Sequence, residues 1–461
     1  IFLDSVLGQK VNKENKAGIP ARDLEPTNPL RTLAMSTERA LYQFGKMYAT
    51  QQKEEENNKE GKYLPLEHQP LEENNKKKKN KKRNYLEQNC IRFEASKYSV
   101  SHSTLFAVPQ PSFECYDMCP TLFADIRKAF DIPDRQYYAI LGRQKQRRES
   151  SYSVISSDDA SGKSPSFFFL TSDQRYILKS CTDQDVKTIC KILPAYRNYV
   201  IEQQERAASG NKNNIGAACG TLLPRYYGLY KIRLPNTKEV STVVVMQNFF
   251  GSKHQINKKF DMKGSTYHRE ASGKELSKKN PVYKDNDWVL MGKKISFPTK
   301  EMTNRTHTQL QMDTTFLQEH NLMDYSLLVG VHTIQEEEEE TLDELYPKHD
   351  EDQSHNNNNN TRGRLRKKRK CRESMGVMTC TSQNEIRYFG IIDILTEYKI
   401  RKSMETTFTG TLLFRPNISC QRPKKYAKRF CDFALNHVFS TDSTSRYSVC
   451  CNNNNIDTST F

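Results

Sequence analysis

No stretch of the 461-residue sequence approaches the roughly 18 consecutive apolar residues that a bilayer-spanning helix needs, so any membrane contact made by these residues is peripheral. No Cys-x-x-Cys pair occurs either. The twelve cysteines are scattered from Cys90 to Cys451, a pattern that argues against structural zinc and for a reduced, intracellular chain. Cys115 and Cys119 are spaced for one helix face or a loop, where packing is their role. Hydrophobic residues are scarce, 36% against 27% charged, which is lean for a chain that is compact throughout, and part of it is expected to be disordered. Acidic residues are the minority charge, 55 against 71 lysines and arginines, leaving a net charge of +16. That excess favours an anionic partner, whether nucleic acid, an anionic membrane surface or a phosphorylated substrate, and does not choose among them. The chain opens at Ile1 rather than at a methionine, so a signal, an anchor or an upstream domain ahead of it is left open.

Composition divides what remains. Residues 51–89 carry Glu54-Glu55-Glu56, Lys76 to Lys79 and Lys81-Lys82-Arg83, too little apolar surface to offset chain entropy, and residues 1–92 as a whole are expected to be largely disordered. A second break, 335–383, holds Glu336 to Glu340, Asn356 to Asn360 and the basic run Arg366 to Lys370. It reads as a disordered insert within a domain, since apolar strings resume on both sides. The tail 441–461, with Asn452 to Asn455, is expected to be disordered too.

Between the breaks the patterns alternate. Phe167 to Thr171, a polar turn, and Tyr176 to Lys179 predict a hairpin. Val186, Ile189, Ile192, Leu193, Tyr196 and Val200 form a helical stripe that Pro194 should bend or break. Thr242 to Met246 predicts a strand and Thr306 to His320 a helix. Leu327 to Val331 and Tyr388 to Leu395 predict buried strands. This is an α+β pattern.

Two nucleotide-site signatures are missing. Gly162-Lys163-Ser164 ends like a Walker A loop, but the leading glycine of that pattern falls at Ser157, which argues against a P-loop fold. No Asp-Phe-Gly or His-Arg-Asp string is present, and the position five residues after Asp324 is Val329 rather than the metal-binding Asn of protein kinases.

Phosphoryl transfer needs cations on the nucleotide phosphates, a metal-holding carboxylate and a group that aligns the attacking hydroxyl. Candidates exist for each, and each has a plainer reading. Gly162 to Phe168 is a small, flexible loop before a strand, able to bring N–H groups to phosphate or to be a surface turn. Lys179 ends an apolar strand, as a phosphate ligand or as a lysine snorkelling to water. Phe260-Asp261-Met262-Lys263-Gly264-Ser265-Thr266-Tyr267 sets a lysine beside a glycine that permits close backbone approach, or forms an ordinary turn. Asp324, at the mouth of an apolar run, acts in catalysis or caps a turn. Asp393, between Ile392 and Ile394, is a metal ligand or a buried acid satisfied by backbone donors.

Taken together, Asp261-Met262-Lys263-Gly264-Ser265-Thr266, Met323-Asp324-Tyr325-Ser326-Leu327-Leu328 and Ile391-Ile392-Asp393, in that order, resemble the signature set of the phosphatidylinositol phosphate kinases. The resemblance runs from about Phe93 to Phe439 outside the insert, and takes in Leu222 to Leu229 and Tyr283 to Asp287. It implies a two-lobed α+β fold, distantly protein-kinase-like, with an ATP-binding lobe at 93–250, a catalytic lobe at 251–440 and a specificity loop at about 396–422. It further implies ATP and Mg2+ as cofactors, with Gly162, Ser164 and Ser166 in the loop over the phosphates. Lys179 would contact nucleotide phosphate and Lys263 the γ-phosphate. Asp324 would orient the inositol hydroxyl and Asp393 hold magnesium, with Asp261 structural. Arg401 and Lys402 would meet the bilayer and the lipid headgroup. Glu405 aligns with the glutamate of type I enzymes, which phosphorylate phosphatidylinositol 4-phosphate on the 5-hydroxyl.

The chain departs from the family pattern at Pro165, where glycine is common, and at Ser403, where the second lysine of a type I dilysine falls. The implied setting is the cytoplasmic face of a membrane, with a homodimer through the N-terminal lobe and no nucleic acid. Two other readings stand beside it. A type II-like kinase of the 5-phosphate isomer is hinted at by Arg269-Glu270-Ala271-Ser272, and a phosphoinositide-binding scaffold with weak catalysis by Pro165 and Ser403. A nucleic-acid-binding protein is third, its basic runs unaccompanied by a recognised module.

Overall fold

Runs of aromatic and β-branched residues set the strands. In the computed structural model, residues 19–24, 28–59, 88–93, 112–142, 151–156, 167–209, 220–234, 240–251, 255–278, 281–297, 300–334, 378–382, 385–398, 422–440 and 447–450 are described. Eight strands form an antiparallel sheet: β1 (Ile19–Pro20), β2 (Gln88–Phe93), β3 (Phe113–Met118), β4 (Ser153–Ser156), β5 (Phe167–Leu170), β6 (Tyr176–Cys181), β7 (Tyr226–Arg233) and β8 (Val240–Gln247). Their order is β1-β4-β5-β6-β8-β7-β3-β2. The hairpin β5–β6 is the one the sequence predicts, closed by Thr171 N–H on the Tyr176 carbonyl.

A second sheet of six strands, ordered β10-β9-β11-β13-β12-β14, is built from β9 (Lys258–Met262), β10 (Val282–Tyr283), β11 (Ser326–Thr333), β12 (Met378–Ser382), β13 (Glu385–Ile392) and β14 (Tyr447–Cys450). Only the β9–β10 pair is parallel. The longer helices among the described residues are α1 (Pro29–Lys59), α2 (Pro120–Ala129), α3 (Asp134–Leu141), α4 (Asp183–Ser209), α5 (Asp285–Met291), α6 (Lys300–Glu319) and α7 (Pro423–Phe433). The first four go with the eight-stranded sheet, and α5 to α7 with the six-stranded one. This is the expected two-lobed α+β architecture.

Several sequence expectations need correction. Residues 29–59 are a helix, and its Leu33, Ala34, Ala40, Leu41 and Phe44 are buried in the first lobe. Composition over 51–89 concealed this, because the apolar stripe lies upstream in 33–44. Buried Glu38 of α1 accepts both the N–H and the hydroxyl of Ser151, and Tyr48 donates to Asp117 on β3. At its closest approach α1 meets α3 so tightly that a Cβ on Gly45 would lie 2.6 Å from the Tyr138 Cβ. The 335–383 insert and the 441–461 tail were also drawn too long: 378–382 and 447–450 are β12 and β14, paired with each other. Helix α4 runs through Pro194 without ending, since Ile192, Leu193, Tyr196 and Val200 all bury on one side. Cys115 lies on a strand, and Cys119 at the start of α2; both are buried.

Two ties hold the lobes in register. Asp313 of α6, wholly buried, accepts from Tyr199 of α4 (2.6 Å), Thr221 (2.7 Å), the Leu222 N–H (2.7 Å) and Gln309 (3.0 Å). Burial pushes its carboxyl up to about 6 against these four donors. The Leu222 carbonyl in turn accepts from Ile391 of β13. The other tie is steric. Phe249 and Phe250, just after β8, lay their rings over Gly390 and Gly330, where a Cβ would come within 2.2 Å of each ring.

Candidate active site

Register brings the site together. β11 and β13 pair with Ser326 opposite Ile392, and β9 pairs with β11 with Met262 opposite Leu327. Lys263 just after β9, Asp324 two residues before β11 and Asp393 directly after β13 therefore lie at one end of the second sheet. Asp324 and Asp393 adopt left-handed backbone, with φ of 65° and 60°. That conformation is costly for residues with a side chain, and among them least so for Asp and Asn; it turns each carboxylate off the end of its strand. The predicted strand Tyr388 to Leu395 stops at Ile392 for this reason.

From the first lobe, β6 delivers Lys179, whose Nζ meets Asp393 Oδ1 at 2.9 Å. Burial pushes the Lys179 ammonium down, and the charge and hydrogen bond of Asp393 more than offset it, so its pKa ends above the usual lysine value. For Asp393 burial pushes up, while Lys179 and then Lys263 outweigh it and hold the carboxyl below the usual range. Opposite this pair, Lys263 Nζ donates to Asp324 Oδ1 at 2.6 Å and to the Asp324 carbonyl at 3.1 Å. The acids keep 36% and 37% of their side-chain surface open, so two carboxylates, each paired with a lysine, stay within reach of a ligand at this end of the sheet.

Asp261 stands behind them on β9. Burial raises its carboxyl, with Arg269 and Lys263 restraining the rise. Its Oδ1 has no hydrogen-bond partner, and Arg269 Nη2 lies 3.7 Å away. A structural part for Asp261 agrees with this setting.

The residue that sequence reading missed is Asp285, the first residue of α5 and fully buried. Its Oδ1 accepts three successive backbone N–H groups, from Lys263 (2.9 Å), Gly264 (2.6 Å) and Ser265 (3.1 Å), while Oδ2 takes Arg269 Nε at 2.6 Å. Gly264, at φ 70°, is the bend that lets the three amides converge. A Cβ there would also strike the α7 backbone, 2.8 Å from Phe430 Cα. Helix α7 fixes the second acid string as well, through Tyr426 hydroxyl on the Tyr325 carbonyl at 2.5 Å. The segment after Asp393 closes the frame: Met323 N–H bonds Thr396 O, Asn321 exchanges bonds with Tyr398, and Glu397 pairs with Lys191 of α4. Asp285 stands in the string Tyr283 to Asp287, but no spacing rule points from it to amides about 20 residues away.

Of the residues expected in the site, Lys179, Lys263, Asp324 and Asp393 are thus brought together. Gly162, Ser164 and Ser166, with Pro165, and Arg401, Lys402 and Glu405, with Ser403, lie outside the described residues.

A strand-rich lobe and a mixed lobe, each giving a lysine to a cleft with two carboxylates, define a phosphotransferase of the two-lobed kinase class. Residues 149–437 match the family model described as phosphatidylinositol-4-phosphate 5-kinase. Phosphatidylinositol 5-phosphate 4-kinase type-2 alpha of Gallus gallus is 30% identical over 364 residues, 74% of this chain and 82% of that protein. Phosphatidylinositol 4-phosphate 5-kinase 6 of Arabidopsis thaliana is 30% identical over 382 residues, 76% of this chain and 48% of that protein. Phosphatidylinositol 5-phosphate 4-kinase type-2 alpha of Homo sapiens is 29% identical over 373 residues, 75% and 83% of the two chains. The chain belongs to the phosphatidylinositol phosphate kinase family, and the expectation raised by its three acid strings holds at that level.

Proposed function

We propose that the chain transfers the γ-phosphoryl group of Mg-ATP to the 5-hydroxyl of phosphatidylinositol 4-phosphate, giving the 4,5-bisphosphate, as a peripheral enzyme on the cytoplasmic face of a membrane. The observation that carries the chemistry is the double pair Lys179–Asp393 and Lys263–Asp324 at one cleft. Lys179 binds nucleotide phosphate and Lys263 neutralises charge on the group in flight. Asp324 hydrogen-bonds the inositol hydroxyl and receives its proton as the new O–P bond forms and the bond to the β-phosphate oxygen breaks, releasing ADP. Among the described residues no group of three or more His, Cys, Asp or Glu could cage a metal. A single open carboxylate, Asp393, suits Mg2+, which takes one or two carboxylates and completes its shell with phosphate oxygens and water. When bound, the ion would draw negative charge from the phosphates.

Position on the inositol ring rests on Glu405, which aligns with the type I glutamate. Membrane attachment rests on Arg401 and Lys402 of the specificity loop, with which the net charge of +16 agrees; no helix among the described residues is long and apolar enough to cross a bilayer. A second reading, phosphorylation of the 5-phosphate isomer on its 4-hydroxyl, is favoured by Arg269-Glu270-Ala271-Ser272 and by the type-2 relatives named above. The deciding experiment supplies Mg-ATP and each phosphatidylinositol monophosphate in vesicles and identifies the product. Turnover of the 4-phosphate lipid to the 4,5-bisphosphate is expected. Turnover of the 5-phosphate lipid alone establishes the second reading, and turnover of neither overturns both.

A further inference from the structure

Phosphoryl transfer leaves two thiols of the first lobe without a part. Cys119 follows the last residue of β3 and precedes Pro120, the first residue of α2, while Cys190 lies on α4. They are distant in sequence, and the packing of the two helices brings them together. Asp125 of α2 accepts from Arg197 Nε and Nη2 of α4, at 2.9 and 2.6 Å, which fixes how the helices lie side by side. Cys190 stands seven residues before Arg197, two turns back on the same face of α4, and Cys119 stands six residues before Asp125, a similar distance back along α2. The sulfurs meet there: the Cys119 S–H donates to the Cys190 sulfur, and both residues are thiols.

The two sulfurs differ in a way that gives them separate roles. Cys190 is half-buried, within reach of a small solute, whereas only 2% of Cys119 is exposed. The hydrogen bond from Cys119 holds the Cys190 thiol below its ordinary value against the opposing push of burial, so more of it is thiolate at neutral pH. Thiolate is the form that attacks a peroxide, and a second thiol beside it resolves the product. Cys181, at the end of β6, is another thiol near Cys190. Burial pushes it up to about 12, and its Sγ is turned to the Lys179 carbonyl 3.7 Å away, so it suits neither role. Backbone preference does not explain a cysteine at 119, where φ of 55° and ψ of 45° would suit Gly or Asn better.

We propose that Cys190 and Cys119 form a reversible dithiol–disulfide pair oxidised by peroxide, with Cys190 as the attacking thiol and Cys119 as the resolving one. The Cys190 thiolate attacks one peroxide oxygen; an S–O bond forms as the O–O bond breaks, the departing oxygen leaves as water, and Cys190 becomes a sulfenic acid. The Cys119 sulfur then attacks Cys190; the S–S bond forms, the S–O bond breaks, and the hydroxyl leaves as a second water with the proton of Cys119. Two thiols and one hydrogen peroxide give one disulfide and two waters, the sulfurs oxidised and the peroxide reduced. A dithiol reductant reverses the change by exchange.

The test exposes the reduced, folded full chain to hydrogen peroxide, blocks the remaining thiols and maps linked peptides by mass spectrometry. A dominant Cys119–Cys190 link that disappears on treatment with dithiothreitol is expected. Cys119→Ser should stop at the sulfenic acid, captured on Cys190 by dimedone, and Cys190→Ser should leave Cys119 reduced under the same exposure. In urea, where the helices no longer hold these two of the twelve cysteines together, the preference for this pair should be lost. An unmodified Cys190 in the parent, a Cys190 linked chiefly to Cys181 or to another cysteine, or the same preference in urea overturns the assignment. The map of the parent decides by itself if either variant does not fold.

Discussion

Each acid of the cleft is held by something specific, and substitutions there separate chemistry from folding. Asp393→Asn keeps a residue that tolerates the left-handed backbone, and Lys179→Met keeps an unbranched aliphatic stem at the same place on β6. Both are expected to fold and to lose at least 10²-fold in turnover, since one lost contact to transition-state charge costs about 3–4 kcal/mol. Near-parent turnover in both would show that the site is elsewhere. Asp285 acts one step removed. With Asp285→Asn the three amides of Lys263, Gly264 and Ser265 lose a charged acceptor and Arg269 its partner. Turnover is expected to fall roughly 10²-fold through misplacement of Lys263, while Mg-ATP affinity stays near that of the parent. An equal loss in affinity would show that Asp285 supports the whole cleft instead. The four site residues were legible because each stands in a short string with its own chemistry. Asp285 and Asp313 were not, because their partners are distant in sequence and known only once the chain has folded.

Among the elements, strands were read more faithfully than limits. Hairpin β5–β6, β8 and β11 fell where alternation and apolar runs put them; α6 was found but begins at Lys300, six residues early. The long α1 was missed because charged residues at its C-terminal end dominate the composition there. In α4 the proline does not break the helix. Pro194 removes one N–H, but the buried side chains on either side keep the helix continuous. Pro194 itself is exposed. Pro194→Ala is therefore expected to restore one backbone hydrogen bond and raise stability by about 1–2 kcal/mol, read as a higher thermal midpoint. A lower midpoint would show that the proline shapes a bend which the packing needs.

For the molecule as a whole, titration of buried acids governs how stability varies with pH. Asp117, which accepts from Tyr48 and Tyr138, has its carboxyl raised by burial to about 7 from 3.8, despite the nearby Arg127. Folding therefore takes up a proton between about pH 4 and 7, and the contribution of Asp117 to stability falls as pH rises through that window. Asp117→Asn keeps an acceptor for the tyrosines and has no such titration. Between pH 4 and pH 8 its stability should rise relative to the parent by up to about 4 kcal/mol in denaturant unfolding. A difference that does not vary with pH would mean that Asp117 is ionised in the folded chain. The seating of Phe249 on Gly390 and Phe250 on Gly330 has a consequence for how this sequence can drift. A methyl group at Gly330 would have to displace the Phe250 ring, whereas a smaller side chain at 250 makes room for it. Gly330→Ala and Phe250→Leu should each destabilise, and the double variant should lose less than the sum, by about 0.5–3 kcal/mol in a double-mutant cycle. Positions 330 and 250 are thus epistatic, and a substitution harmful at one becomes tolerable only after the other has changed.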